Sequence, residues 1–138
     1  MYIIEEYVVA KAAPAAVWQI WSDVEKWPTW DADLKTSKLL RGAFRDQATV
    51  VMKPKSGPQI QATITDYALN EKFTSSSSLP LTSISFKHMI EPLDGGRVKI
   101  IHRVEFEGWF SGLFYCLLGS GIRKGLPISL NNLVKQLG

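Results

Sequence analysis

One cysteine, two histidines and no run of like charge leave several familiar chemistries without their residues. Cys116 has no partner for an internal bridge, and a zinc ribbon would lack its second cysteine. Set within an apolar stretch, Cys116 is expected to be a small buried hydrophobe, in keeping with a reducing compartment. The 16 Lys and Arg against 13 Asp and Glu leave a net charge of +3, but the cations are scattered. Nucleic-acid binding needs a concentrated patch or a recognisable motif, so none is expected. No Gly-rich phosphate loop follows a strand pattern and no nucleophile elbow is present, which removes support for nucleotide-dependent and hydrolase chemistry. No cofactor is expected. The longest apolar run is far shorter than the ~18 residues of a bilayer span, so no membrane span is expected. The first residues, Met1-Tyr-Ile-Ile-Glu-Glu-Tyr, carry acids where a secretory signal has a basic end and an apolar core. A cytoplasmic location is the expectation.

What is present is concentrated at the end of the chain. Trp109, Phe110, Leu113, Phe114, Tyr115, Cys116, Leu117 and Leu118 are followed by Ile122, Leu126, Leu130, Leu133 and Leu137. Helical spacing of the later members predicts one long C-terminal helix from about Trp109 to Leu137. Gly119, Gly121, Gly125 and Pro127 weaken or bend it, so a bend or interruption is expected between Gly119 and Pro127. Two readings stay open there: two shorter helices joined at the glycines, or missing side chains that leave room for a cavity beneath the helix. At 138 residues the chain is the size of one domain and can bury a core without metal or disulfide.

Upstream, Tyr2 to Ala10 alternates in a strand pattern. Pro14 suits a first helical position, with Val17, Trp18 and Trp21 at helical spacing. Ser22 and Asp23 offer a cap for a second short helix around Val24 to Trp27, which Pro28 closes. Six further strands are read over Leu34–Leu40, Gln47–Lys53, Gln59–Leu69, Lys72–Ser78, Thr82–Glu91 and Arg97–Glu107. The breaks between them carry turn residues, among them Ser56-Gly57-Pro58, Leu79-Pro80 and Asp94-Gly95-Gly96. A single antiparallel sheet with one long helix to cover it must curl around that helix, with the short helices closing one end.

The run from Ala10 through Pro14, Val17, Trp18, Asp23, Trp27 and Pro28 to Trp30 resembles the opening signature of the START-like (SRPBCC) superfamily, in its polyketide cyclase/dehydrase and lipid-transport branch. In that signature a strand leads into a Pro-x-x-Val-Trp helix, then an Asp, then a Pro-x-Trp. The resemblance implies an α+β helix-grip fold in which a curved antiparallel sheet of about seven strands wraps the long C-terminal helix. It also implies an apolar cavity between sheet and helix for a hydrophobic ligand. It supplies no catalytic set, because enzymes of the superfamily use different residues in different branches.

The last two strands carry the polar detail. Ile84, Phe86, His88 and Ile90 share one face, as do Val98, Ile100, His102, Val104 and Phe106. If Asp94-Gly95-Gly96 is a three-residue loop, Ile90 opposes Ile100, His88 opposes His102 and Phe86 opposes Val104. The two histidines then stand about 5 Å apart at Cβ on the concave wall. They could satisfy one another in the core, orient a ligand, or move a proton; both are expected to be neutral at pH 7. A metal site would need a third ligand, and Asp66, the best candidate, has no ligand spacing, so no metal is expected. Trp18 and Trp21 read as core, whereas Trp27 and Trp30 divide evenly between a structural plug and a cavity entrance. The expected ligand wall is His88, His102, Phe86, Ile100 and Val104 from the sheet, Trp30 from the entrance, and Phe114, Leu118 and Gly125 from the helix.

Three functions fit these features. The first is a cytoplasmic binding protein, monomeric or homodimeric, for a small apolar or aromatic molecule. The second is a cyclase or dehydratase using His88 and His102. The third is a protein-interaction module whose cavity is vestigial.

Overall fold

Strand, two short helices, six strands and a long helix follow one another in the computed structural model as the pattern anticipates, over the described residues 1–137. β1 (Tyr2–Lys11) leads into α1 (Pro14–Ser22) and a 3-10 helix (Val24–Thr29). The strands β2 (Leu34–Leu39), β3 (Thr49–Pro54), β4 (Ile60–Ala68), β5 (Lys72–Leu79), β6 (Thr82–Leu93) and β7 (Arg97–Gly108) precede α2 (Ser111–Leu137). They form one curled antiparallel sheet in the order β1-β7-β6-β5-β4-β3-β2. From β2 to β7 every neighbour in space is a neighbour in sequence. Only β1 joins non-locally, running along β7 from Tyr2 opposite Phe106 to Lys11 opposite Arg97.

The β6–β7 register is the one that a three-residue loop requires: Leu93 lies opposite Arg97, Ile90 opposite Ile100, His88 opposite His102 and Phe86 opposite Val104. Gly95 and Gly96 turn the chain at φ of +75° and +72°, conformations that cost a residue with a side chain more than they cost glycine. On the outer face Glu105 receives Arg103 Nε at 2.6 Å and Lys87 Nζ at 3.3 Å, and Arg103 reaches Glu5 at 3.3 Å. These charges occupy the face that alternation assigns to solvent.

Several local expectations need correction. Pro28 lies inside the 3-10 helix and does not end it, and Asp23 makes no side-chain capping bond. Ser22 Oγ instead donates back to the carbonyl of Gln19 at 3.2 Å. Trp109 and Phe110 form a turn ahead of α2 rather than its first residues. No interruption occurs between Gly119 and Pro127, since α2 runs unbroken through both. Pro127 removes one donor, but Pro127 and Arg123, whose carbonyl loses that partner, are both exposed, so water can satisfy the group. Cys116 is exposed on α2, not buried.

The core divides into two clusters along the sheet. The larger packs Trp18, Trp21, Trp27, Trp30 and Phe73 against Ile90, Ile100, Leu130 and Leu133. The smaller joins Ile4, Ile84, Val104, Phe106 and Leu126, with Phe86, Phe114 and Tyr115 partly buried around it. The second half of α2 is fastened by polar groups to the segment that follows the 3-10 helix. Ser129 Oγ accepts the Ala32 N–H at 2.9 Å, Asn132 Nδ2 donates to the Trp30 carbonyl at 3.3 Å, and Gln136 Nε2 donates to Thr29 Oγ1 at 2.8 Å. A Cβ on Gly125 would run into the carboxylate of Asp33. Gly125, Ser129, Asn132 and Gln136 thus form one stripe at helical spacing, and the loop lies along it.

Replacing Ser129 with Ala leaves the partly buried Ala32 N–H without its protein partner and is expected to cost about 1 kcal/mol, read as a lower Tm in thermal denaturation. An unchanged Tm would mean that the loop is not held by this stripe.

Candidate functional site

His88 and His102 face each other on the concave wall with ring centroids 4.8 Å apart, nearly perpendicular. Three other rings surround the pair. Phe73 stacks flat on His88 at 4.1 Å, an arrangement set by the β5–β6 register that places Phe73 opposite His88. Trp21 comes down from α1 to within 5.5 Å of His88 and 6.1 Å of His102. Trp30, from the segment after the 3-10 helix, lies 6.3 Å from His88 and 5.7 Å from His102. All five side chains are buried.

Among the described residues four nitrogens of this ring cluster have no partner in hydrogen-bonding geometry: Trp21 Nε1, Trp30 Nε1, His88 Nδ1 and His102 Nε2, although backbone groups of Phe73 and Phe86 lie near enough to His88 to act on its titration. The contrast with Trp27 is instructive, because its buried Nε1 donates to the Trp21 carbonyl at 2.7 Å. Buried polar atoms in folded proteins are nearly always paired, and leaving one unpaired costs about 1–3 kcal/mol. Two of the four are indole N–H groups that can only donate, while each neutral imidazole nitrogen can donate or accept according to tautomer.

Burial keeps the pair uncharged. His88 is pushed down to about 3 by desolvation, which the backbone groups of Phe73 and Phe86 only partly offset. His102 is held well below the ordinary imidazole value by burial and by the neighbouring His88. Both are neutral at pH 7, as expected from two imidazoles in an apolar wall.

The other expected wall residues separate by position. Ile100 and Val104 are fully buried on either side of His102, in different core clusters, and Phe86 is half-buried. Trp27 and Trp30 are both buried, which assigns them to the plug and not to an open entrance. Phe114 packs on the smaller cluster, whereas Leu118 is exposed. The space left by the missing side chain of Gly125 holds the Asp33 carboxylate. Asp66 bridges to Lys72 at 3.0 Å in an exposed position. Among the described residues no three of His, Cys, Asp and Glu come together as a metal site would need. Two open surface clefts, of about 330 and 320 Å³, are lined by other residues: one by Ala16, Ile20 and Gln136, the other by Leu40, Arg45 and Thr49.

Over residues 1–138 the chain matches the family described as polyketide cyclase/dehydrase and lipid transport. The chain belongs to this family. Its fold is shared by a START superfamily protein from Mycobacterium smegmatis, at a TM-score of 0.76 and 16% identity with all of both chains covered. An aromatase/cyclase from Streptomyces superimposes at 0.76 and 14% identity, covering 99% of this chain and 93% of the other. A hypothetical protein from Helicobacter pylori reaches 0.81 at 13% identity, covering 99% and 88%. No curated protein matches the chain in sequence. At these identities the solved structures speak for the helix-grip fold alone.

Sequence reasoning missed Phe73, and it read Trp21 as core without bringing it against the histidines. The signal for Phe73 was available: a two-residue turn at Pro80-Leu81 sets Leu79 opposite Thr82 and so carries Phe73 to His88. Glu6 was missed as well. It lies opposite His102 through the β1–β7 pairing, for which no local turn gives the register.

Asp31 supplies a titration test of the loop on α2. Burial pushes its carboxyl up to about 6, the Asp33 N–H and Lys55 offset part of this, and the Asp33 carboxylate adds to it. An acid whose folded pKa exceeds its unfolded one binds protons more tightly in the native state. Its contribution therefore falls as pH rises from about 4 to about 6 and is level above that. Asp31→Asn keeps an oxygen for the Asp33 N–H bond, found at 3.0 Å, and removes the charge. Urea denaturation should show the variant gaining on the wild type between pH 4 and 6, with a constant margin above; equal stabilities at pH 7 would show Asp31 to be solvated.

Proposed function

We propose that the protein binds a small hydrophobic or aromatic molecule, lipid-like or polyketide-like, between the sheet and α2, with one oxygen-bearing group held at the His88–His102 pair. The observation that carries this reading is the set of four unpartnered ring nitrogens in an otherwise apolar interior. A hydroxyl or carbonyl oxygen accepts from the indole N–H groups of Trp21 and Trp30, and a hydroxyl also donates to an imidazole nitrogen. The rest of the ligand displaces or parts the rings of Trp30 and Phe73, and Ile100, Val104 and Phe86 give it apolar walls. Membership of a family described by cyclase, dehydrase and lipid transport supports a hydrophobic ligand of this kind.

Proton transfer through the pair is the second reading, favoured by the similarity to an aromatase/cyclase. The depressed basicity of His88 argues for binding over catalysis. A base with a pKa near 3 takes a proton poorly at neutral pH, where a general base works best near the operating pH.

Native mass spectrometry of freshly purified protein should show a retained organic ligand, and an apolar fluorescent probe should be displaced by it. His102→Leu removes a nitrogen that has no partner in the unliganded protein. The variant is expected to melt no lower than the wild type while losing about tenfold in ligand affinity, equivalent to one hydrogen bond of about 1.4 kcal/mol. A lower Tm with unchanged affinity would make His102 purely structural. Turnover of the ligand by the wild type, abolished in His102→Gln, would replace binding with catalysis.

A further inference from the structure

The first half of α2 presents a surface that the interior site does not use. Trp109 is 89% exposed, Leu117 66% and Leu113 56%, and Phe110, Cys116 and Leu118 are exposed beside them. Leu113, Leu117, Lys124 and Ile128 are spaced as one line on the outer face of the helix, and all four are exposed. Leu81, also exposed, extends the patch across the β5–β6 turn, where its carbonyl accepts the Trp109 N–H at 2.9 Å. Such a contiguous apolar surface marks a contact.

Charge decides what meets it. The fifteen residues 108–122 carry no charge, and α2 contains Arg123, Lys124 and Lys135 without a single Asp or Glu. Apolar and aromatic side chains at the start of a helix, followed by cations and no acids, fit an anionic lipid surface. The rings and leucines enter the boundary between headgroups and acyl chains, and the lysine and arginine stay with the phosphates. The same face of a second copy, packed symmetrically, would bring only cations against this one. No helix among the described residues is long and apolar enough to cross a membrane, so contact here is peripheral.

We infer that the outer face of α2 from Trp109 to Lys124 docks on anionic bilayers, with Trp109, Leu113 and Leu117 inserted, Lys124 at the headgroups from the same line, and Arg123 reaching them from the flank of the helix, where it lies over the Tyr115 ring at 4.8 Å. This inference is independent of what the interior binds. It has a built-in reporter, because Trp18, Trp21, Trp27 and Trp30 are all buried and only Trp109 is exposed. Adding phosphatidylcholine vesicles that contain phosphatidylglycerol should shift the tryptophan emission to the blue and protect it from iodide, with the protein co-sedimenting. Pure phosphatidylcholine should bind much more weakly. Trp109→Ser with Leu117→Ser should abolish binding, and Arg123→Gln with Lys124→Gln should weaken it about thirtyfold, from about 1 kcal/mol per cation. All four positions are exposed, so an unchanged Tm and circular dichroism spectrum will show the fold intact in each variant. Absence of binding to any vesicle, equal binding to neutral ones, or binding to polyglutamate in place of vesicles overturns the inference. So does a Trp109 already shielded from iodide without lipid, in a dimer detected by sedimentation.

Discussion

The packing of Trp21, Trp30 and Phe73 against His88 and His102 is the contact on which the interior depends. A sheet that curls around a helix leaves a volume that aliphatic side chains from the sheet do not fill, and here planar rings from three separate segments close it. The flat stack of Phe73 on His88 and the crossing indoles give dense packing at one level of the sheet. The cost of filling the space this way is four ring nitrogens taken out of water without partners. The same choice that stabilises the core by burying large apolar area therefore leaves it with hydrogen-bonding capacity that an incoming oxygen can use.

That arrangement also keeps the two histidines uncharged. Solvent exclusion holds both neutral, and each discourages charge on the other. A neutral pair offers directional hydrogen bonds at no cost in buried charge, whereas a catalytic imidazolium in the same place would require a nearby carboxylate. Glu6 sits opposite His102 in the sheet, but it is exposed, and it is burial and the neighbouring His88 that lower His102.

The long helix does two different jobs along its length. Its second half carries Leu130 and Leu133 into the larger cluster, while the Gly125, Ser129, Asn132 and Gln136 stripe holds the Thr29–Asp33 segment and, through it, Trp30. Its first half covers the smaller cluster with Phe114 and Tyr115 and turns Leu113 and Leu117 outward. The glycines read in the sequence as space for a ligand serve, at Gly125, to let a loop carboxylate approach the helix.

The sequence by itself determined the element order, the helix-grip class, the strands nearly to their ends and the facing of His88 and His102, because period-two alternation and short turns are local signals. The Asp94-Gly95-Gly96 loop is enough to set a register. What only the tertiary structure decided depends on contacts between distant segments. The pairing of β1 with β7, the burial of Trp30, the loop against Gly125 and the exposure of Cys116 all follow from how sheet, loop and helix are placed, and no local spacing encodes that. An apolar helix run specifies that burial is favourable without specifying which side is covered. For that reason Leu118, expected on the ligand wall, stands in solvent in the fold beside Leu117.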